Sequence, residues 1–304
     1  MSEIMIDPLA DVVSLLKPAP SISKLVTGGG RWIVERTEIG NPFYCAVVEG
    51  GCQLTVSGRA PIRLEAGDFV LVPDIFDFTV ASHTPPGPGA IRQPLETSPG
   101  VIRLGDPQTP AEVVMLVGHF AFASRDRELL VSLLPEVIHV HRESRLTDLV
   151  KMIDEETRSS RAAREIVLGH LLEVLLIEAL RSTTETSATP GLLRGLADPQ
   201  LGLALRQIHA HPHHTHSVAE LAKTAAMSRS TFHERFRREV GTAPMEYVTT
   251  WRMALAKNML TKKVATIADI ARRVGYGSAS AFSVAFTRHV GTPPGAFAEA
   301  NQQA

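Results

Sequence analysis

The sequence predicts a two-domain chain: an N-terminal mostly-β barrel with flanking helices, then an all-α domain holding two helix-turn-helix units. Three observations predict it. Short segments rich in Val, Phe, Thr and Tyr, punctuated by Gly, Pro and Asp, run from residue 31 to residue 122. Helical periodicity replaces them further on. One local pattern then occurs twice, as MSRSTFHERFRREVG from Met227 to Gly241 and YGSASAFSVAFTRHVG from Tyr276 to Gly291.

Length and charge agree with this division. A chain of 304 residues suggests about two domains. Residues 206–300 hold 13 Lys and Arg against 6 Asp and Glu, a net of +7, while the rest carries −8. A basic module joined to an acidic one suggests a polyanionic partner for the C-terminal third alone. No early apolar run resembles a signal peptide, and no stretch reaches about 18 uncharged apolar residues, so a cytoplasmic protein without a membrane partner is expected. Cys45 and Cys52 make neither a disulfide scaffold nor a zinc finger. They read as two thiols in a sheet or as a redox or electrophile sensor.

The strand series begins with RWIVERT at 31–37 and continues through FYCAVVEG, CQLTVSG, PIRLEAGDFVLVP and FDFTVAS. Gly50-Gly51 reads as a tight hairpin turn, and breaks at Gly30 and Gly40 fit an antiparallel barrel or sandwich. Residues 82–109, rich in Pro and Gly, read as one long loop. AEVVMLVGHFAF at 111–122 is a return strand. Candidate helices follow at 127–133, 146–157 and 161–181. The last places Ile166, Leu168, Leu171, Leu172, Leu175, Leu176 and Leu180 on a broad apolar surface, suiting a homodimer helix or an intramolecular core helix. Residues 182–190 read as a flexible connector, closed by Pro190, and a helical domain begins near Leu192.

In the first repeat, Ser217 caps a helix and Glu220 completes a capping box. Val218, Leu221, Ala222 and Ala225 form its inner face. Ser228 caps a second helix with Phe232, Phe236 and Val240 inward, and Gly241 ends it. The second repeat uses Thr266 and Asp269, then Ile267, Ile270, Ala271 and Val274 inward, then Ser278, Phe282, Phe286, Val290 and Gly291. The second helices and the prolines Pro244 and Pro294 share an offset of 50, the first helices one of 49. Met245, Val248, Trp251, Leu255 and Met259 fit one linking helix, with Trp251 as core. Two such helices on a stiff connector suit successive major grooves of double-stranded DNA.

This arrangement resembles the AraC/XylS family of bacterial transcription regulators over about residues 200–300. SRSTFHERFRREVGTAPMEYVTTWRMALAKNML and IADIARRVGYGSASAFSVAFTRHVGTPPGAF carry the resemblance. It implies sequence-specific promoter binding, a homodimer at paired sites, and contact with RNA polymerase if the protein is an activator. It places base reading on Ser230, His233 and Glu234 in the first unit and on Ser280, Ser283 and Val284 in the second. Arg229, Arg237 and Arg288 become phosphate contacts. Glu234 either accepts from a cytosine amino group or pairs with Arg238 at i,i+4.

Residues 1–180 look like the cupin-type effector domain found ahead of such modules. The expected organisation is a cupin-like domain over 1–182, a linker over 183–191, and a DNA-binding domain over 192–304 with units at 217–241 and 266–291. A small organic effector is expected in an apolar pocket lined by Tyr44, Cys45, Phe78, Met115 and His119. No cofactor is required. A barrel transition metal on Cys45 and His119 is the alternative, although Phe78 stands where the second cupin motif has a histidine. The histidines of IHAHPHHTH at 208–216 read as a solvated turn with opportunistic metal affinity. No nucleophile triad or phosphate-cradling glycine loop is present, which argues against an enzyme.

Overall fold

The computed structural model describes residues 7–37, 41–56, 59–74, 77–87, 94–122, 131, 134–182, 190–262 and 265–300. The chain divides into two compact units. One joins Lys17–Ala123 with Pro135–Ser187, and the other joins Met1–Leu16 and Ser124–Leu134 with Ala188–Ala304. The predicted helix at 127–133 and most of the connector lie outside the described residues.

The first unit is a curled sheet. Its strands are β1 (Pro18–Gly29), β2 (Ile33–Thr37), β3 (Phe43–Val56), β4 (Ile62–Glu65), β5 (Phe69–Val72), β6 (Asp77–Ala81), β7 (Leu95–Ser98), β8 (Val101–Gly105), β9 (Val113–Phe122) and β10 (Ile138–Val140). Along the sheet they run β10-β5-β3-β9-β1-β8-β7, with β2, β4 and β6 branching from this path. Strand β3 joins the two parts. Its first half pairs with β5 and β9, and its second half pairs with β4 and β6. The concave face packs Cys45, Val47, Cys52, Leu54, Phe78 and Met115 into one apolar core. Helices α2 (Ser144–Arg158) and α3 (Arg164–Ser182) pack against each other and against β1.

Two sequence expectations change here, and one strand lies outside them. Gly50-Gly51 is not a hairpin turn, because β3 runs straight through it. Gly50 has φ +70°, and a Cβ there would lie 1.8 Å from the Glu112 carbonyl oxygen. The pair is therefore a kink at which β3 passes close under the chain entering β9. Residues 82–109 are not one loop, since β7 and β8 lie within them. Strand β1, which pairs with both β8 and β9, went unpredicted. Its Pro18 and Pro20 disguise a strand whose neighbours lie far along the sequence.

The second unit is helical. It contains α1 (Pro8–Leu16), α4 (Leu192–Ala197), α5 (Pro199–Ala210), α6 (Val218–Thr224), α7 (Arg229–Val240), α8 (Pro244–Lys262), α9 (Ile267–Arg273), α10 (Ala279–Val290) and α11 (Pro294–Ala300). Helix α1 packs on α5 and α8 and buries Leu9, Val12, Val13, Leu15 and Leu16. Helix α8 is buried around most of its circumference, through Tyr247, Val248, Thr250, Trp251, Met253, Ala254 and Ala256. It serves both repeats, packing against α7 on one side and α9 and α11 on the other. Met245, Leu255 and Met259, expected on its inner face, are only partly buried. Ile267 is likewise 37% exposed rather than inward. Among the described residues no helix is long and apolar enough to cross a membrane.

Candidate functional site

The two repeats are built alike down to ring geometry. Ser217 accepts from the Glu220 N–H while the Glu220 carboxylate accepts from the Ser217 N–H, a complete capping box. Ser228 and Ser278 each accept from the backbone N–H three residues on. Gly241 and Gly291 end α7 and α10 at φ +89° and +83°. Phe232 and Phe236 meet tilted at 5.5 Å and 52°, and Phe282 and Phe286 at 5.4 Å and 53°. Phe236 meets Tyr247 edge-on at 5.8 Å, and Phe286 meets Phe297 the same way at 5.6 Å. Helix α11 thus repeats the opening turn of α8, with Pro294 matching Pro244 and Phe297 matching Tyr247.

With the aromatic faces turned inward, the other faces of α7 and α10 reach solvent. Arg229, Ser230, Glu234 and Arg237 are exposed and His233 is partly so. On α10, Ser280, Val284 and Arg288 are exposed, Val284 at 60%. Ser283 is half-buried, and its hydroxyl donates to the Ala279 carbonyl at 2.8 Å. Arg238 pairs with Glu239 at 2.8 Å, not with Glu234, so Glu234 is not drawn into the expected i,i+4 bridge. The inward edge of α7 is fastened elsewhere: Arg235 reaches Asp198 at 2.5 Å, and Glu239 also binds Arg194.

The histidine-rich stretch is more than a solvated turn. His209 is fully buried, stacked on Trp251 at 4.0 Å. Its Nδ1 lies 3.1 Å from the Asp11 carboxylate and its Nε2 lies 2.8 Å from the Tyr247 hydroxyl. A carboxylate only accepts, so Nδ1 carries the proton and Nε2 accepts from Tyr247. Burial holds the His209 pKa below its ordinary value, against the pull of Asp11. Arg252 donates to the carbonyls of Pro212 and His214 and so fixes the turn that follows. His211, His213 and His214 remain exposed.

In the first unit, a cavity of about 260 Å³ opens between β1, β2, β3, β6, β8 and β9. Phe78, Met115 and His119 line it beside Phe43. Tyr44 and Cys45 do not. Tyr44 points through the opposite face of the sheet toward Ser23 and Asp154, where burial pushes its pKa up to about 12. Cys45 lies deeper in the apolar core. Both thiols are buried, and burial pushes Cys52 up to about 12 and Cys45 well above its usual value. A neutral, inaccessible thiol is a poor nucleophile, which weighs against the sensor reading. Among the described residues the cavity lining carries Lys24, Arg36 and His119 and no carboxylate.

The described residues form one cluster with metal-ligand chemistry, and it does not use Cys45 or His119. Asp68, His139 and His141 bring one ligand atom each to within 4.8 Å of one another. His139 Nε2 lies 3.4 Å from Asp68 Oδ2, and His141 Nδ1 lies 3.2 Å from Asp68 Oδ1. Burial raises the Asp68 pKa, but hydrogen bonds from the Glu65 N–H and both histidines outweigh it, and the net shift is downward. Burial, then the neighbouring His141, lowers His139. The sequence signal for the cluster was the alternation of His139 and His141 along one strand, but Asp68 is some seventy residues away.

A cupin family model matches residues 7–185, and a helix-turn-helix domain model matches residues 221–300. Two chains described as AraC-like transcription regulators are similar over nearly the full length. That of Streptomyces lividans is 39% identical, and that of Streptomyces antibioticus 40%, each covering 95% of this chain and 97% of its own. The chain belongs to the AraC/XylS family of transcription regulators. As an AraC/XylS regulator it is a DNA-binding protein, and it stands with regulators rather than with catalytic cupins. The solved DNA-binding domain of AdpA, in complex with a target DNA, is 32% identical over 35% of this chain and 95% of that one, with a TM-score of 0.33. A partial relative, the regulator AlkR of Acinetobacter baylyi, is 33% identical over 54% of this AraC/XylS chain and 56% of its own.

Proposed function

We propose that this regulator reads promoter DNA with the solvent faces of α7 and α10, under control of a small organic effector in the β unit. The observation that carries the reading is the pair of helices with superposable aromatic interiors and unlike polar exteriors. In α7, Ser230, His233 and Glu234 read base edges while Arg229 and Arg237 hold phosphates. In α10, Ser280, Ser283 and Val284 face the groove and Arg288 holds the backbone. Val284 offers only apolar contact, which suits a thymine methyl, so α7 carries most of the specificity. The functional boundaries are an effector domain over 1–182, a linker over 183–191 and a DNA-binding domain over 192–304.

The effector fits the cavity lined by Phe43, Phe78 and Met115. Lys24 and Arg36, with no carboxylate among the described lining residues, favour a small apolar molecule bearing a negative group. A homodimer through α3 accounts for the exposure of Ile166, Val167 and Val174 on a helix whose other side is core. RNA polymerase is the further partner if the protein activates.

The test is selection from a randomised duplex library. His233→Ala should relax preference at one operator position, costing about 1–3 kcal/mol against the preferred base. Arg237→Ala should weaken binding to all sequences evenly and lower the salt dependence by about one phosphate contact. Indistinguishable profiles for the two variants would remove α7 from the interface. For the effector, operator affinity should change in the presence of a small apolar carboxylate that binds the protein. Equal affinities with and without it would remove the switch.

A further inference from the structure

We propose that Asp68, His139 and His141 form a binding site for a divalent transition cation of the zinc type. The site is built by the sheet rather than by chance proximity. Strands β5 and β10 pair antiparallel with Ile138 opposite Leu71, His139 opposite Val70 and Val140 opposite Phe69. Continuing that register sets His141 opposite Asp68. Side chains two apart share a face, so His139, His141 and Asp68 project together while Ile138 and Val140 are buried on the other side.

The turn before β5 is shaped for this approach. Gly67 takes φ +92°, and a Cβ there would already touch the Arg142 backbone at 3.4 Å. Arg142 itself sits at φ +53°, directing the chain away from the site after His141. Asp68 is held rigidly, since its Oδ2 also accepts from the Glu65 N–H at 3.0 Å and its own backbone closes the turn to Glu65 and Val47. Its side chain is 4% exposed, whereas that of His141 is 68% exposed. A buried anchored carboxylate and a solvent-facing imidazole leave one side of the cluster open to entry.

The spacing fits coordination. Ligands about 2.0–2.2 Å from a tetrahedral zinc lie about 3.3 Å from one another. His139 Nε2 lies 3.4 Å from Asp68 Oδ2 and His141 Nδ1 lies 3.2 Å from Oδ1, and one ligand atom from each of the three residues lies within 4.8 Å of the other two, a span that a small inward shift closes to that spacing. Two imidazoles and a carboxylate suit zinc, nickel, cobalt or ferrous iron, and three protein ligands leave a position for water. The bound ion would clamp β10, the end strand of the sheet, to the β4–β5 turn. It would also fix the chain just before α2, which starts at Ser144.

Two variants and one control test the site in the full-length protein after removal of bound metal with a chelator. Titration with Co²⁺ should give visible absorption bands that saturate at one ion per chain, and Zn²⁺ should displace it. His141→Ala alters an exposed position and His139→Ala the half-buried one, and each should weaken binding by more than about tenfold. The triple variant H211A/H213A/H214A, which removes three neighbouring exposed histidines of the other unit, should bind like the parent. Zn²⁺ should raise the melting temperature of the parent and of the triple variant, but not of the His141 variant. Unchanged cobalt binding in both single variants overturns the proposal. So does loss of binding in the triple variant alone, or the absence of any saturable cobalt spectrum.

Discussion

His209 lies with its imidazole wholly out of water, donating to Asp11 and accepting from Tyr247. Burial outweighs the pull of Asp11 and holds the ring neutral, so its folded pKa is below the unfolded value of about 6.5. The unfolded chain therefore takes up a proton that the folded chain resists. The stabilisation is complete above pH of about 6.5 and is lost as the pH falls below it, at up to about 1.4 kcal/mol per pH unit. Urea unfolding between pH 7.5 and 5.5 should show this slope, and His209→Gln should flatten it. Parallel slopes would move the effect to His139, His216 or His289, which burial also lowers. From sequence, His209 was indistinguishable from its solvated neighbours, because its acceptor Asp11 is 198 positions away.

Among the elements, those governed by local chemistry were legible. Ser217 with Glu220, Ser228, Thr266 and Ser278 all cap the helices they were assigned, because a cap is decided within four residues. The return strand β9 was legible from its alternation. What escaped was decided at long range. Strand β7 is exposed at all four positions and so shows no alternation, and β1 is defined by partners 76 to 104 residues away. A glycine pair signals a turn or a kink equally well, and only the neighbouring Glu112 backbone decides between them at Gly50. Gly50→Ala should therefore destabilise the β unit by at least about 2 kcal/mol, through a strained φ and a clash with main chain. Circular dichroism melts should show it. An unchanged melt would mean that β3 can relax around the kink.

At the scale of the molecule, the two-part plan was visible from charge and periodicity, but the place of the first helix was not. Helix α1 precedes the strands in sequence and packs with the C-terminal helices. The chain therefore passes from α1 in the helical unit to the strands of the sheet unit and comes back to the helical unit at α4. Leu16 is fully buried in this position. Leu16→Ala should lower the stability of the helical unit by about 2–5 kcal/mol, even though residue 16 is far from it in sequence. Tryptophan fluorescence reports the loss, since Trp251 lies within that unit. An unfolding transition of the helical unit unchanged by the substitution would show that α1 contributes nothing to it.

The matched interiors of the two repeats have one more consequence. The phenylalanine pairs, the end glycines and the caps hold each module's shape, and none of them is among the outward positions on α7 and α10. Retargeting is thereby uncoupled from folding: new outward chemistry can be tried at little thermodynamic risk. Transplanting Ser280, Ser283 and Val284 onto positions 230, 233 and 234 would probe how far that freedom extends.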